Sequence, residues 1–406
     1  MYIFNNVLII GLGLVGSSLA RVMKANNIAK SICGYDQLVT TIQTGFSLQI
    51  IDESILTLDN QVEKYDLIIL CTPVNSYGEI VKKLKKHISK DAIITDVGSV
   101  KESVISTIKK GLGEDLSHLY IPSHPIAGSE KSGIDAGSDD LFNNKKIILT
   151  PTEKNKPEAI EKIKTFWKMC GGKIEIMEAK KHDEIYASVS HIIHCICYSY
   201  AMYIKKNHAA KFNEIAADIQ EDFKTFVRLG GSDIHMWQDI LLSNQKAILH
   251  SADNLMKNLN SIIKELESKT KKISPRLVAA KTKRNVIDKG NYNFVKKTKL
   301  SYSSESYVLL QIIPKIIACV IMESTNKDLV QYAGRGFYST TETLLKMPAN
   351  IEDTIQMHKD KTTTYLKNFI KDLKSFFDVI EQGGEEKVHI HLENCLSAYN
   401  KLTQAN

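Results

Sequence analysis

Val7-Leu8-Ile9-Ile10-Gly11-Leu12-Gly13-Leu14-Val15-Gly16 decides the fold. An apolar run ends in three glycines spaced G-x-G-x-x-G, and SSLARVMKA then continues at helical period. Each glycine has a task in a strand-turn-helix unit. The first permits the tight turn, the second lets backbone approach a pyrophosphate, and the third lets the helix pack on the strand. The phosphate charge would then lie at the helix N-terminus. Asp36 ends the second apolar run, twenty residues past Gly16, where a carboxylate can hold a ribose 2′-hydroxyl and would repel a 2′-phosphate. No arginine follows it in DQLVTT, so the expected cofactor is NAD. Gly11, Gly13, Leu14, Val15, Gly16 and Asp36 are its candidate binding residues.

Outward from this unit, residues 1–155 alternate β-branched runs with helical stretches: ICGYD (32–36), DLIILCT (66–72), AIITD (92–96) and KIILT (146–150). That rhythm predicts an α/β Rossmann domain, a doubly wound parallel sheet. Beyond it the pattern turns to long helix-period segments, broken by KIEIM (173–177) after Gly171-Gly172. All-α domains are therefore expected at 156–268 and 303–406. Between them, residues 269–299 carry eleven Lys or Arg against one acid, Asp288, and read as a basic linker over 269–302.

The chain has 406 residues, well beyond the usual 100 to 200 of one domain, so several cores are expected. A hydrophobic fraction of 43% with 24% charged residues excludes wholesale disorder and a membrane bundle. Net charge is +7, but the basic segment alone exceeds that, leaving a mildly acidic body and no expectation of specific nucleic-acid binding. Seven cysteines without a C-x-x-C pair argue for reduced thiols in a cytoplasm. Residues 1–20 lack a basic leader and a run long enough for a bilayer, so neither signal nor anchor is expected.

Two further loops follow strands and would face the cofactor crevice: Cys71-Thr72-Pro73-Val74 and Asp96-Val97-Gly98-Ser99-Val100-Lys101. Thr72 and Pro73 join the cofactor set. Ser99 is a candidate donor beside nicotinamide and substrate, and equally a helix N-cap for KESVISTIKK. In Ser123-His124-Pro125-Ile126-Ala127-Gly128-Ser129-Glu130, the histidine is a candidate base. No metal site is expected, and His389 and His391 on a polar stretch read as surface residues.

The His124 loop, with GLGLVG upstream and SVSHIIH (188–194) downstream, resembles the prephenate and arogenate dehydrogenases, which share an S/G-H-P-x-A-G-x-E loop. The resemblance runs through MEAKKHDEIYASVSHIIH (177–194) and RLGGSDIHMWQDILLSN (228–244). It implies that His124 meets the C4 hydroxyl of a cyclohexadienyl substrate, supported by Ser99, and that Arg228 binds a substrate carboxylate. It further implies that His194 lines the pocket of prephenate-using members, with His191 and Asp183 as additional pocket residues. The activity implied is NAD-dependent oxidative decarboxylation of prephenate. Arogenate is the alternative substrate, and a catalytically silent NAD-binding homologue is the alternative from another class.

Where the family has a glycine-rich run before Phe, this chain has Gln220-Glu221-Asp222-Phe223, placing two acids where an anion should bind. The missing run occurs instead as Gly334-Arg335-Gly336-Phe337. Residues 191–201 can be laid over 312–322, and 228–240 over 342–354, which puts Ile312, Lys315 and Glu342 at the places of His191, His194 and Arg228. Family members dimerise through the helical domain. The expectation is a homodimer, or an intramolecular pseudo-dimer in which 303–406 is a degenerate copy.

Overall fold

The computed structural model describes residues 2–58, 60–128, 132–212, 217–268, 272–287 and 305–403. Ser129 and Glu130 of the histidine loop, and residues 269–271 and 288–302 of the expected linker, lie outside them. The chain forms two compact units, Met1–Asp183 and Glu184–Asn406.

The first unit is built on β1 (Phe4–Ile10), α1 (Leu14–Ala25), β2 (Ala29–Tyr35), α2 (Val39–Ser47), β3 (Glu53–Ser54), β4 (Leu67–Leu70), α3 (Tyr77–Leu84), β5 (Ile93–Asp96), α4 (Glu102–Leu112) and β6 (Tyr120–Ile121). Its six strands are all parallel in the order β3-β2-β1-β4-β5-β6. This is the doubly wound order, reversing between β1 and β4. Val7 to Ile10 and Leu67 to Leu70 are each fully buried, as strands covered on both faces must be. The reversal leaves a crevice at the carboxyl ends of β1 and β4, where Gly11 and Cys71-Thr72 stand.

A second sheet follows: β7 (Ser123–Pro125) runs antiparallel to β8 (Lys146–Leu149), which pairs in parallel with β9 (Lys173–Ile176). KIILT thus belongs to this smaller sheet and not to the main one. The strand register puts His124 opposite Ile148. The helix α5 (Pro157–Met169) starts with proline at its first turn and buries Ile163, Phe166 and Trp167 in the core shared with the main sheet. Phe166 lies edge-on to Phe4 and Trp167, and Trp167 edge-on to Phe142. Those aromatic contacts explain why the first unit runs on past residue 155; the division falls within α6 (Ala179–Tyr186).

The second unit is helical and contains residues 184–268 of the first expected helical block together with the second block. A π-turn, Ala187–His191, leads into α7 (Ile192–Phe212). Then come α8 (Ala217–Phe226), a 3-10 turn Arg228–Gly231, α9 (Ile234–Ser243), α10 (Gln245–Glu267) and α11 (Ser274–Ile287). Residues 274–287 of the expected linker are thus a packed helix, with Leu277, Ala280 and even Arg284 buried. After α12 (Glu305–Tyr307) a second π-turn, Val308–Ile312, leads into α13 (Ile313–Ser324). The chain ends in α14 (Arg335–Thr341), a 3-10 turn Glu342–Leu344, α15 (Ile351–Met357), α16 (Lys359–Gln382) and α17 (Gly384–Thr403).

Residues 191–201 of α7 and its approach are buried on every side, as are 313–322 of α13. A helix apolar all round must be central, and α7 accordingly packs against both α16 and α17. His391 is not a surface residue: its ring stacks on Phe376 at 4.3 Å, and burial holds its pKa down at about 4. His389 bonds Gln238 through Nδ1 at 2.7 Å. Among the described residues no helix is long and apolar enough to cross a membrane.

Candidate active site

The glycine turn has the geometry its sequence predicts. Gly11 sits at φ +95°, where a Cβ would stand 2.8 Å from the carbonyl oxygen of Cys71. A Cβ on Gly16 would lie 1.9 Å from the carbonyl of Gly11, so only glycine lets α1 approach the turn. Around Gly13 there is nothing within 4 Å of that position, and Gly13, Leu14 and Val15 are half-buried at the start of α1. The result is a helix N-terminus facing open space, which suits a pyrophosphate. Asp36 follows β2 and is held in place by Leu12 N, which donates to Oδ2 at 2.9 Å, and Leu38 N, which donates to Oδ1 at 3.0 Å. In the next loop Thr72 Oγ1 lies 2.7 Å from Ser76 Oγ, and Pro73 precedes a short 3-10 turn. A dinucleotide fits these residues.

At the neighbouring strand ends a buried polar lattice fixes the histidine loop. Lys101 and Asp96 are both fully buried and paired at 2.5 Å, and Lys101 Nζ also donates to Ser123 O at 2.7 Å. The second oxygen of Asp96 accepts from Tyr120 OH at 2.8 Å and Ser123 N at 3.0 Å. Charge burial on this scale is tolerable only because each lone pair finds a donor. Ser99 is half-buried and lies two residues ahead of the N-cap of α4, which is Lys101. The expected capping role goes elsewhere: Asp183 accepts from Lys101 N at 2.8 Å and Glu102 N at 2.9 Å. A carboxylate across two orphan amides is favourable at that helix end.

Asp183 has a second task. His182 Nδ1 lies 2.8 Å from its Oδ1, and His182 Nε2 lies 2.8 Å from His124 Nδ1. The proton positions follow from the chain. Asp183, pulled below the usual carboxylate range by His182 and the two amides, stays ionised despite burial and can only accept. His182 therefore carries its proton on Nδ1, and burial disfavours a second one. Its Nε2 must then accept from His124 Nδ1–H, which leaves Nε2 as the acceptor nitrogen of His124. His182, Lys101 and Asp96 hold the His124 loop through these contacts, and the motif reading assigned them no role. The signal for His182 was its position beside Asp183. For Lys101 there was none, because a buried lysine cannot be told from an exposed one by sequence.

In the helical unit, His194 is buried and stacked on Trp237 with ring centroids 3.5 Å apart. Its Nδ1 donates to Ser190 O at 3.0 Å, so Nε2 is the acceptor, and desolvation holds its pKa at about 3. Arg228 opens the 3-10 turn, half-buried, and its charge bears on His194. His191 is placed differently: Asn244 Nδ2 donates to its Nδ1 at 3.1 Å, tying the π-turn to the junction of α9 and α10. Asp222 is not aimed at Arg228. Its carboxylate pairs with Lys346 at 2.7 Å and lies 3.4 Å from Gln311 Nε2.

The doubly wound sheet, its glycine turn and the acidic end of β2 define an NAD-binding oxidoreductase. Residues 19–176 match the prephenate dehydrogenase nucleotide-binding domain, and 178–280 match the prephenate dehydrogenase dimerization domain. The chain is 34% identical to a cyclohexadienyl dehydrogenase of Zymomonas mobilis over 64% of this chain and 88% of that protein. It is 30% identical to the prephenate dehydrogenase of Bacillus subtilis over 64% of this chain and 69% of that one. A crystal structure of prephenate dehydrogenase from Aquifex aeolicus, in complex with hydroxyphenyl propionate and NAD+, superposes with a TM-score of 0.60. It is 33% identical and covers 70% of this chain and 98% of its own. The chain belongs to the prephenate dehydrogenase family.

Proposed function

We propose that this protein oxidatively decarboxylates prephenate to 4-hydroxyphenylpyruvate with NAD. The relay Asp183–His182–His124 carries the reading, since it orients the His124 imidazole and directs its Nδ1 toward His182, so that Nε2 is the acceptor nitrogen. Bound NAD would accept hydride from C4 of the ring. As hydride leaves, the C4 hydroxyl becomes a carbonyl and its proton passes to His124 Nε2. The bond from C1 to its carboxylate then breaks, its electron pair enters the ring, and CO2 departs. The phenolate oxygen takes the proton back from His124, so atoms and charge balance and the base is restored. A general base of this kind contributes about 10²- to 10⁴-fold.

We assign the carboxylate-binding role to Arg228, whose planar guanidinium suits bidentate pairing. His194, kept neutral by burial and stacked on Trp237, lines the pocket without adding charge to it. His191 has its Nδ1 committed to Asn244, which supports a structural role over a substrate contact. We assign Ser99 to the nicotinamide end, since capping of α4 does not occupy it. Arogenate remains the second reading, favoured by relatives such as a Synechocystis arogenate dehydrogenase structure, 26% identical, TM-score 0.58, covering 71% of this chain and all of its own. The test is His124→Asn, which should lower kcat by about 10²-fold or more while NAD binding is retained; unchanged turnover would remove His124 from the mechanism.

A further inference from the structure

The principal elements of the helical unit recur in the same order in its two halves, with the 3-10 turn Lys327–Tyr332 between α13 and α14 as an addition to the second. A π-turn precedes α7, and another precedes α13, although π-helices account for well under 1% of residues in general. α8 corresponds to α14, the 3-10 turn Arg228–Gly231 to Glu342–Leu344, and α9 to α15. The junction before α10 is Asn244, at φ −115° and ψ 24°, while that before α16 is His358, at φ −113° and ψ 24°. α10 and α16 are 23 and 24 residues long, and each is followed by a last helix, α11 or α17.

The two halves also pack reciprocally. α7 lies on α16 and α17 of the second half, and α13 lies on α10 and α11 of the first. α10 packs on α16 and α8 on α14, each element against its own counterpart. Such pairing, in which the contacts of α7 are mirrored by those of α13 and like meets like, is the signature of an isologous two-fold interface.

Their chemistry has diverged. At the places of His194 and Arg228 the second half has Lys315 and Glu342. Lys315 is buried and donates to Gln311 at 2.7 Å; Lys346 bridges Asp222 and Glu342 at 2.7 and 3.1 Å. Asp222 comes from α8 of the first half and serves the second half's cluster, while Glu221 pairs with Lys224 on its own helix at 3.0 Å. In the opposite direction, α14 offers Gly336, packed on Leu229, and Ser339 Oγ, 3.5 Å from Arg228 Nη2. α17 adds Tyr399, whose ring lies against Gly230 and Gly231 of the turn that begins with Arg228.

We propose that residues 305–403 are a built-in partner: a degenerate second copy of the dimerisation domain that takes in cis the place of a second subunit. The chain is then a monomer with one live substrate site and one site closed by ion pairs. Tyr399 and Gly336 are positioning residues that hold the Arg228 turn from the partner side. The inference rests on the dehydrogenase reading only for the word substrate; the assembly claim stands apart from it.

Two measurements on the full chain test it. Light scattering should return the mass of one chain, 45.6 kDa; a mass of two chains would overturn the proposal whether or not the protein is active. Tyr399→Leu should raise KM for the cyclohexadienyl substrate severalfold with kcat and NAD affinity unchanged. If KM stays at the wild-type value in a folded Tyr399→Leu variant, the second half does not position Arg228. Asp222→Asn, outside the live site, should leave KM and kcat unchanged, and a raised KM there would place the acid at the substrate and contradict the assignment.

Discussion

At the residue scale, the site depends on proton positions fixed through hydrogen bonds. Asp183 acts twice, capping α4 and orienting His182, so its loss should be felt twice. Asp183→Asn should cost about 1–3 kcal/mol of stability, because an amide cannot accept from all three donors. The same variant should lower kcat at least tenfold, since the charge that fixes the His182 proton is gone; wild-type kcat would show that the relay is not needed. His194 makes a pH prediction. Its folded pKa, about 3, lies below the ordinary 6.5, so the unfolded chain binds the proton more readily. Stability should therefore be complete above about pH 6.5 and fall with pH below it, by about 1.4 kcal/mol per unit at most from this group. His194→Gln should flatten the melting temperature between pH 7 and pH 5, and an unchanged slope would show that His194 is not the group responsible. The candidate bases and the arginine were legible as residues within motifs. The relay was not, because a contact between His124 and His182 across 58 positions depends on how β7 and α6 pack.

At the scale of elements, the glycine turn separates binding from folding. Gly13→Ala adds a methyl to open space and should leave the melting temperature nearly unchanged while weakening NAD. Gly16→Ala drives a methyl into the Gly11 carbonyl and should destabilise the fold itself, by 1–3 kcal/mol on the scale of overpacked sites (about that range). Titration of NAD alongside thermal melts separates the two, and equal effects would contradict the geometry. The alternation of apolar runs revealed β1, β2, β4 and β5 because strands buried on both faces leave long β-branched runs. The same signal could not say that 146–149 joins a second sheet, since pairing partners are not written in periodicity. Nor did charge reveal α11: lysines along 276–284 read as solvated linker, whereas Lys281 and Lys283 lay their heads on the carbonyls of Met347 and on Met322 and Thr325.

At the scale of the whole molecule, a nucleotide-binding unit carries His124, the proposed base, and a helical unit carries Arg228 and the neutral His194. The first was legible almost to its end, and its extension from 155 to 183 follows from the aromatic contacts of α5. The proposed helical repeat is faint in sequence because the two halves share backbone course, while Lys315 and Glu342 of an ion-pair cluster stand where the first half has His194 and Arg228. The substrate tests the account most directly. Purified protein supplied with NAD should form NADH when given prephenate, faster than with arogenate, and His124→Asn should abolish most of that rate. Absence of NADH with either substrate, in protein that still binds NAD, would contradict the account.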